Sequence, residues 1–86
     1  MYYVYVLEDI EKASWYIGFS ENLKKRLENH NASKGCKTTR SRKWKIIYFE
    51  GYLDKKDALG REIFLKSGSG RSFLRRQIKN YLNKNS

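Results

Sequence analysis

A single cysteine, Cys36, and a single histidine, His30, stand in a chain of 86 residues. One thiol forms no internal disulfide, and one thiol with one imidazole is too few side chains for a zinc site. Disulfide-framework and zinc-module classes are excluded, and a reducing compartment is expected. No apolar run approaches the ~20 residues that cross a bilayer. The apolar start, Tyr2 to Leu7, is followed at once by Glu8 and Asp9, which is not the order of a signal peptide. Internal repeats, low-complexity segments and linkers are also missing. Acids are scarce: Asp plus Glu number 9 against 19 Lys plus Arg, a formal charge of +10. Such an excess repels itself unless a polyanion is the partner. Nucleic acid is the expected partner, an anionic membrane surface is the weaker alternative, and a cytoplasmic protein follows.

What the chain does have is aromatic mass. Aromatic residues make up 15% of it, which offsets a hydrophobic fraction of only 40%. The length allows one core, so residues 1–82 are read as one domain and 83–86 as a flexible polar tail. Tyr2 to Leu7 and Trp15 to Phe19 are aromatic and β-branched, and predict an antiparallel hairpin with a loop of about six or seven residues. Alternation puts Tyr3 and Tyr5 on one face of the first strand, and Tyr16 with Gly18 on one face of the second. In the right register Tyr5 and Tyr16 stand side by side, with Gly18 leaving room.

Ser20 is the expected N-cap of a first helix, with Glu21 in its first turn. Leu23, Leu27 and His30 follow at helical spacing, and Arg26 lies one turn before His30. Asn31 to Lys45 is a basic stretch in which Lys34, Lys37, Arg40, Arg42 and Lys43 alternate with hydroxyl residues. Cations and hydroxyls mixed in this way suit a phosphate backbone.

Ile46 to Phe49 predicts a third strand, extensible to Trp44 and Tyr52. Asp54 is the expected N-cap of a second helix. In that helix Glu62 falls in the stripe of Ala58 and Leu65, while Leu59 and Ile63 form a second apolar edge. A glycine C-cap in Lys66-Ser67-Gly68 is expected to stop it. Ser72 to Leu82 predicts a third helix, with Phe73, Leu74, Ile78, Tyr81 and Leu82 directed inward. The order β-β-α-β-α-α describes an α+β domain: a three-stranded antiparallel sheet flanked by three helices.

In their order, Tyr3-Val4-Tyr5, Tyr16-Ile17-Gly18, Arg26, His30 and Glu62 resemble the GIY-YIG nucleases. The segment Gly70-Arg71-Ser72-Phe73-Leu74 resembles their small stand-alone bacterial branch. The second tripeptide is a full match; the first has Tyr3 in place of glycine and Val4 in place of isoleucine. Where the family's basic loop commonly ends in arginine, proline and an aromatic, this chain has Arg42-Lys43-Trp44. Several family members carry a late asparagine, and Asn80 is the first asparagine after Glu62.

The resemblance implies a divalent-metal-dependent endonuclease that hydrolyses phosphodiester bonds in DNA, with RNA left open. It implies nicking of low sequence specificity, a structure-specific or repair-related role, and a monomer or weak dimer. Glu62 would hold Mg²⁺ or Mn²⁺, because Mg²⁺ keeps most of its waters and needs few protein ligands. Arg26 would clamp the scissile phosphate with its planar fork. Tyr5, or alternatively Tyr16, would act as general base or orient the water, and His30 would touch phosphate or relay a proton. A phenol with a pKa near 10 needs nearby cations for that work. The other reading is a non-catalytic nucleic-acid-binding module of the same fold. An acidic residue in a basic cleft favours the enzyme.

Overall fold

The computed structural model describes residues 1–31 and 43–84. Three antiparallel strands form the sheet: β1 (Tyr2–Asp9), β2 (Trp15–Ser20) and β3 (Trp44–Tyr52), in the order β2-β1-β3. Four helices accompany them: α1 (Leu23–Asn31), α2 (Lys55–Lys66), α3 (Gly68–Gln77) and α4 (Lys79–Lys84). The α+β class and the three-stranded sheet are as the sequence predicts. The central strand β1 pairs from Tyr3↔Ser20 to Glu8↔Trp15 on one side, and from Tyr2↔Tyr52 to Asp9↔Trp44 on the other.

β1 runs past Leu7 to include Glu8 and Asp9, which the sequence assigns to the loop. Both are buried, and both carboxylates are occupied. Glu8 accepts from Trp15 Nε1 at 3.1 Å and from the Tyr81 hydroxyl at 2.7 Å. Asp9 Oδ1 accepts the backbone N–H groups of Glu11 and Lys12, closing a tight turn whose Ala13 adopts φ 55°. Buried acids persist when their oxygens find donors.

Alternation then divides the core. Val4, Val6 and Ile17 point to one face, where Ala58, Leu65 and Leu74 of α2 and α3 cover them. Tyr5 and Leu7 point to the other, with Tyr16 and Trp44 beside them and Leu23 and Leu27 of α1 as the cover. A bulge serves both faces: Val6 pairs with Tyr48 but Leu7 with Ile46, leaving Ile47 as an extra residue. It turns Trp44 and Ile46 toward α1 while Tyr48 and Tyr52 remain on the α2 side.

Several helix boundaries differ from expectation. Asn22, not Ser20, caps α1, its side chain accepting from Lys25 N–H at 3.1 Å. Ser20 instead accepts from Asn22 N–H, one residue upstream of the helix proper. Asp54 caps α2 as expected. No glycine ends α2. Ser67 closes α2 and opens α3, its Oγ donating to the Phe64 carbonyl at 2.6 Å and accepting from Gly70 N–H at 3.1 Å. Gly70 is needed for closeness, since a Cβ there would run into the Phe64 carbonyl and the Leu65 backbone. The C-terminal helix breaks at Ile78 (φ −113°, ψ 30°), giving α3 and α4, and Asn83 and Lys84 belong to α4 rather than to a tail. The Leu59–Ile63 edge faces outward, with Ile63 71% exposed.

Candidate active site

The register places Gly18 directly opposite Tyr5. A Cβ on Gly18 would lie 2.6 Å from Tyr5 Cζ and 3.1 Å from Tyr16 Cε1, so the bare backbone is the floor on which the Tyr5 phenol rests. The two tyrosine rings are neighbours, with centroids 6.4 Å apart. From above, α1 lowers His30 onto them. Tyr5 Oη lies 3.1 Å from His30 Nε2, and the Tyr16 ring centroid lies 5.0 Å from the imidazole. Tyr5 and His30 are each 1% exposed, whereas Tyr16 is half-buried.

Burial lowers the His30 pKa from 6.5, and the Arg26 charge one turn away lowers it further. Both effects favour the neutral imidazole, whose Nε2 accepts from the Tyr5 hydroxyl or donates to it according to the tautomer. Arg26 sits exposed on α1, in position to meet an anion arriving from solvent.

Two residues hold this arrangement: Asn31, which sequence reasoning passed over, and Trp44, which it named only as a strand extension and the end of the basic stretch. Asn31, next to His30, grips the start of β3: its Nδ2 donates to the Trp44 carbonyl at 3.0 Å, and its Oδ1 accepts from Trp44 N–H at 2.6 Å. The side-chain amide thus imitates a strand partner and pins the end of α1 to the sheet. Trp44, 2% exposed, packs edge-on against Tyr16 at 6.3 Å. The signal was an amide directly after the histidine and an aromatic at the return to strand.

Glu62 is placed in another layer. It lies in the Ala58–Leu65 stripe of α2, against the Val4–Val6–Ile17 face, so the sheet stands between its helix and the tyrosines. Its side chain is 18% exposed, and Lys66 Nζ approaches Oε2 to 3.2 Å. Among the described residues, no three His, Cys, Asp or Glu side chains gather as a metal cage. A hard cation at Glu62 would take one protein carboxylate and fill its shell with water and phosphate oxygens, a set that suits Mg²⁺. Lys43 is exposed at the start of β3, and its carbonyl accepts from Ile10 N–H. Lys34, Lys37, Arg40 and Arg42 lie outside the described residues. Asn80 is exposed on α4.

The sheet thus pairs two tyrosines over a strand glycine, and α1 brings His30 onto them with Arg26 one turn away. The chain belongs to the GIY-YIG catalytic domain family, whose model matches residues 1–84. It is 43% identical over 65 residues to a UPF0213 protein of Streptococcus pneumoniae serotype 4, covering 74% of this chain and 65% of the relative. It is 42% identical over 71 residues to a UPF0213 protein of Streptococcus pyogenes serotype M3, covering 81% and 76%. The match thus spans just under two thirds of the pneumococcal relative's length. The solution NMR structure of a UPF0213 protein from Bacillus halodurans superposes with a TM-score of 0.55 at 29% identity, covering 91% of this chain and 86% of the other. No described helix is long and apolar enough to cross a membrane.

Proposed function

We propose that this chain is a divalent-metal-dependent endonuclease acting on DNA. The observation that carries the reading is the buried Tyr5–His30 hydrogen bond, with the Tyr16 ring tilted beside it and Arg26 one turn away. The reaction adds water to phosphorus, breaks the bond to the leaving oxygen, and gives a phosphate monoester and a free hydroxyl.

Burial favours one division of the roles. Tyr16 is the phenol with access to solvent, so once it has given its own proton to solvent it orients the attacking water and takes its proton. The leaving oxygen takes a proton from solvent, and Tyr5 is the inner partner held by His30. This exchanges the two tyrosines relative to the order favoured from sequence. Arg26 grips the scissile phosphate and balances the charge that grows on it. Glu62 would hold Mg²⁺ or Mn²⁺, whose contribution is to neutralise phosphate oxygens. Strand β2 carries Tyr16 on one face and is covered by α2 on the other, so its edge is where both sets of groups open. The substrate backbone follows that edge, and the basic stretch with Lys34, Lys37, Arg40, Arg42 and Lys43 would add cations for further phosphates.

With one site the enzyme nicks a single strand at a time, at low sequence specificity, as a monomer or weak dimer. The setting is cytoplasmic DNA repair, with RNA as a further substrate class. The test is nicking of supercoiled plasmid and branched DNA by wild type and Glu62→Gln in Mg²⁺, Mn²⁺ or EDTA. Metal-dependent nicking that the variant loses while it still binds DNA supports the reading; equal cutting by both proteins refutes it. One observation favours a second reading, a non-cutting binding module: Glu62 already has Lys66 as its ionic partner. On that reading both proteins bind and neither cuts in any metal.

A further inference from the structure

On the sheet face opposite the tyrosines, at the hairpin end, α3 and α4 leave an open cavity of about 690 Å³, bordered by Glu8, Trp15, Arg71, Arg75 and Leu82. That is a volume typical of pockets that hold nucleotide-sized ligands. Its charge is cationic. Neither arginine is in an ion pair among the described residues. The one bordering carboxylate, Glu8, accepts from Trp15 Nε1 and the Tyr81 hydroxyl, and Lys45 Nζ stands 3.9 Å away. The Trp15–Glu8 bond also fixes the indole's orientation, because Nε1–H is its only donor. A rigid aromatic plane therefore stands beside two unpaired guanidinium groups.

We propose that this cavity holds one nucleotide of a single-stranded nucleic acid, its base between Trp15 and Arg75 and its phosphate on Arg71. The inference rests on the nucleic-acid reading above and adds a second contact, remote from the scissile phosphate. The Arg75 guanidinium lies 6.0 Å from the Trp15 ring centroid. A base stacked on both sides needs about 6.8 Å between its neighbours, twice the ~3.4 Å stacking distance. Arg75 is exposed, so its side chain yields the missing 0.8 Å by a small torsional shift. An aromatic platform with cations beside it binds single strands with little regard to sequence. A base paired in a duplex is not available to this slot.

The experiment titrates wild type, Arg71→Gln/Arg75→Gln and Trp15→Phe with single-stranded dT8, dTMP and a 20-base-pair duplex, following tryptophan fluorescence and DNA anisotropy. Trp44 is buried, so the signal that dT8 quenches belongs to Trp15 and is absent from Trp15→Phe. Removing the Arg71 phosphate contact lowers the single-strand salt slope by about 0.7, which is about fivefold in affinity at 0.1 M salt, and loss of the Arg75 face of the stack adds to it. Duplex affinity is expected to change less than about twofold. Unquenched Trp15 fluorescence, or equal losses on dT8 and duplex, overturns the proposal while leaving the nuclease reading intact. Saturation by dTMP at the same concentration as dT8 overturns it in favour of a free-nucleotide site. Failure of wild type to bind any of the DNAs brings down the nucleic-acid reading itself. Unchanged thermal melting of the arginine variant shows that the loss is one of binding, since both side chains project from α3 into the cavity.

Discussion

Replacing Gly18 with alanine tests the geometry of the tyrosine pair more directly than replacing either tyrosine. The added methyl would stand 2.6 Å from Tyr5 Cζ and closer still to the Tyr5 hydroxyl. A long surface side chain would swing away at little cost. Tyr5 is 1% exposed, roofed by His30 and flanked by Tyr16, so it cannot swing out to solvent without breaking those contacts. Overpacking a core costs about 1–3 kcal/mol. Displacing the phenol also breaks its bond to His30, and a buried polar group left unsatisfied costs about 1–3 kcal/mol. With partial relief between the two terms, the expected loss is about 3 kcal/mol. At ~0.05–0.15 kcal/mol per residue the whole domain is worth about 4–13 kcal/mol, so the variant keeps about 1–10 kcal/mol and is only marginally folded at the lower end of that range. In urea, with an m-value of about 1 kcal/mol/M, the midpoint falls by about 3 M. Tyr5→Phe completes a double-mutant cycle. Once the hydroxyl is gone, the alanine methyl has less to collide with and no bond to break, so the double variant is less damaged than the sum by about 1 kcal/mol or more. A loss below about 0.5 kcal/mol for Gly18→Ala, or an additive cycle, would refute the packing of Tyr5 on Gly18.

Arg26→Ala is expected to lower nicking by about 10²–10³-fold without unfolding an exposed helix position, and Arg26→Lys to restore only part because the fork is lost. Circular dichroism beside the nicking assay checks both. The His30 ring protons, followed by NMR, should titrate below 6.5, since burial and then Arg26 lower its pKa. The unfolded chain then binds more protons than the folded one in the interval below 6.5. His30 stability is therefore complete above 6.5 and is lost as pH falls through the folded pKa; a ring titrating above 6.5 would contradict this. For Glu50, burial alone would raise the pKa, but Arg61 and the hydroxyls of Tyr48 and Tyr52 bring it below 4.5. Its stabilisation is present above 4.5 and lost as pH falls through the folded value. Arg61→Met should cost about 1–3 kcal/mol at pH 7, less than for a fully buried pair because Arg61 is 27% exposed, and should flatten the acid limb of the stability curve.

Much of the site is legible before folding because strand alternation is a local rule. It puts Tyr5 and Tyr16 where they can meet, and makes Gly18 the only neighbour small enough to lie under a phenol. Helical spacing likewise brings His30 onto the Leu23–Leu27 stripe. What escapes is whatever depends on distant partners. Glu8 and Asp9 read as loop because acids are poor strand formers; Glu8 stays in the strand through Trp15 seven residues away and Tyr81 seventy-three residues away. The bulge at Ile47 has no mark in a run of apolar residues, yet it decides which face Trp44 joins. Ser67 reads as part of a glycine stop, and only the packing of α3 on α2 shows it serving two helices. The layer that Glu62 occupies depends on which sheet face α2 covers, and helical periodicity carries no information on that.

That layer bears on how α2 is aimed. Arg61 and Glu62 are consecutive, so their side chains leave the helix about 100° apart. Arg61 is fixed from three sides. Its Nε and Nη2 donate to the two Glu50 oxygens at 2.9 and 3.0 Å, and its guanidinium lies 4.6 Å from the Phe73 ring centroid and 5.1 Å from that of Phe64. Tyr48 and Tyr52 hold the same carboxylate from β3, and burial with the Glu50 charge pushes the Tyr48 hydroxyl up to about 12, keeping it a donor. A bidentate pair resists rotation about the helix axis in a way that a single apolar contact does not. The network thereby sets the roll of α2 against the sheet, and with it the direction in which Glu62 points. On the proposed reading Glu62 would serve alone as the protein's ligand, with no second ligand to correct its aim, and the ion pair one residue earlier would supply that precision.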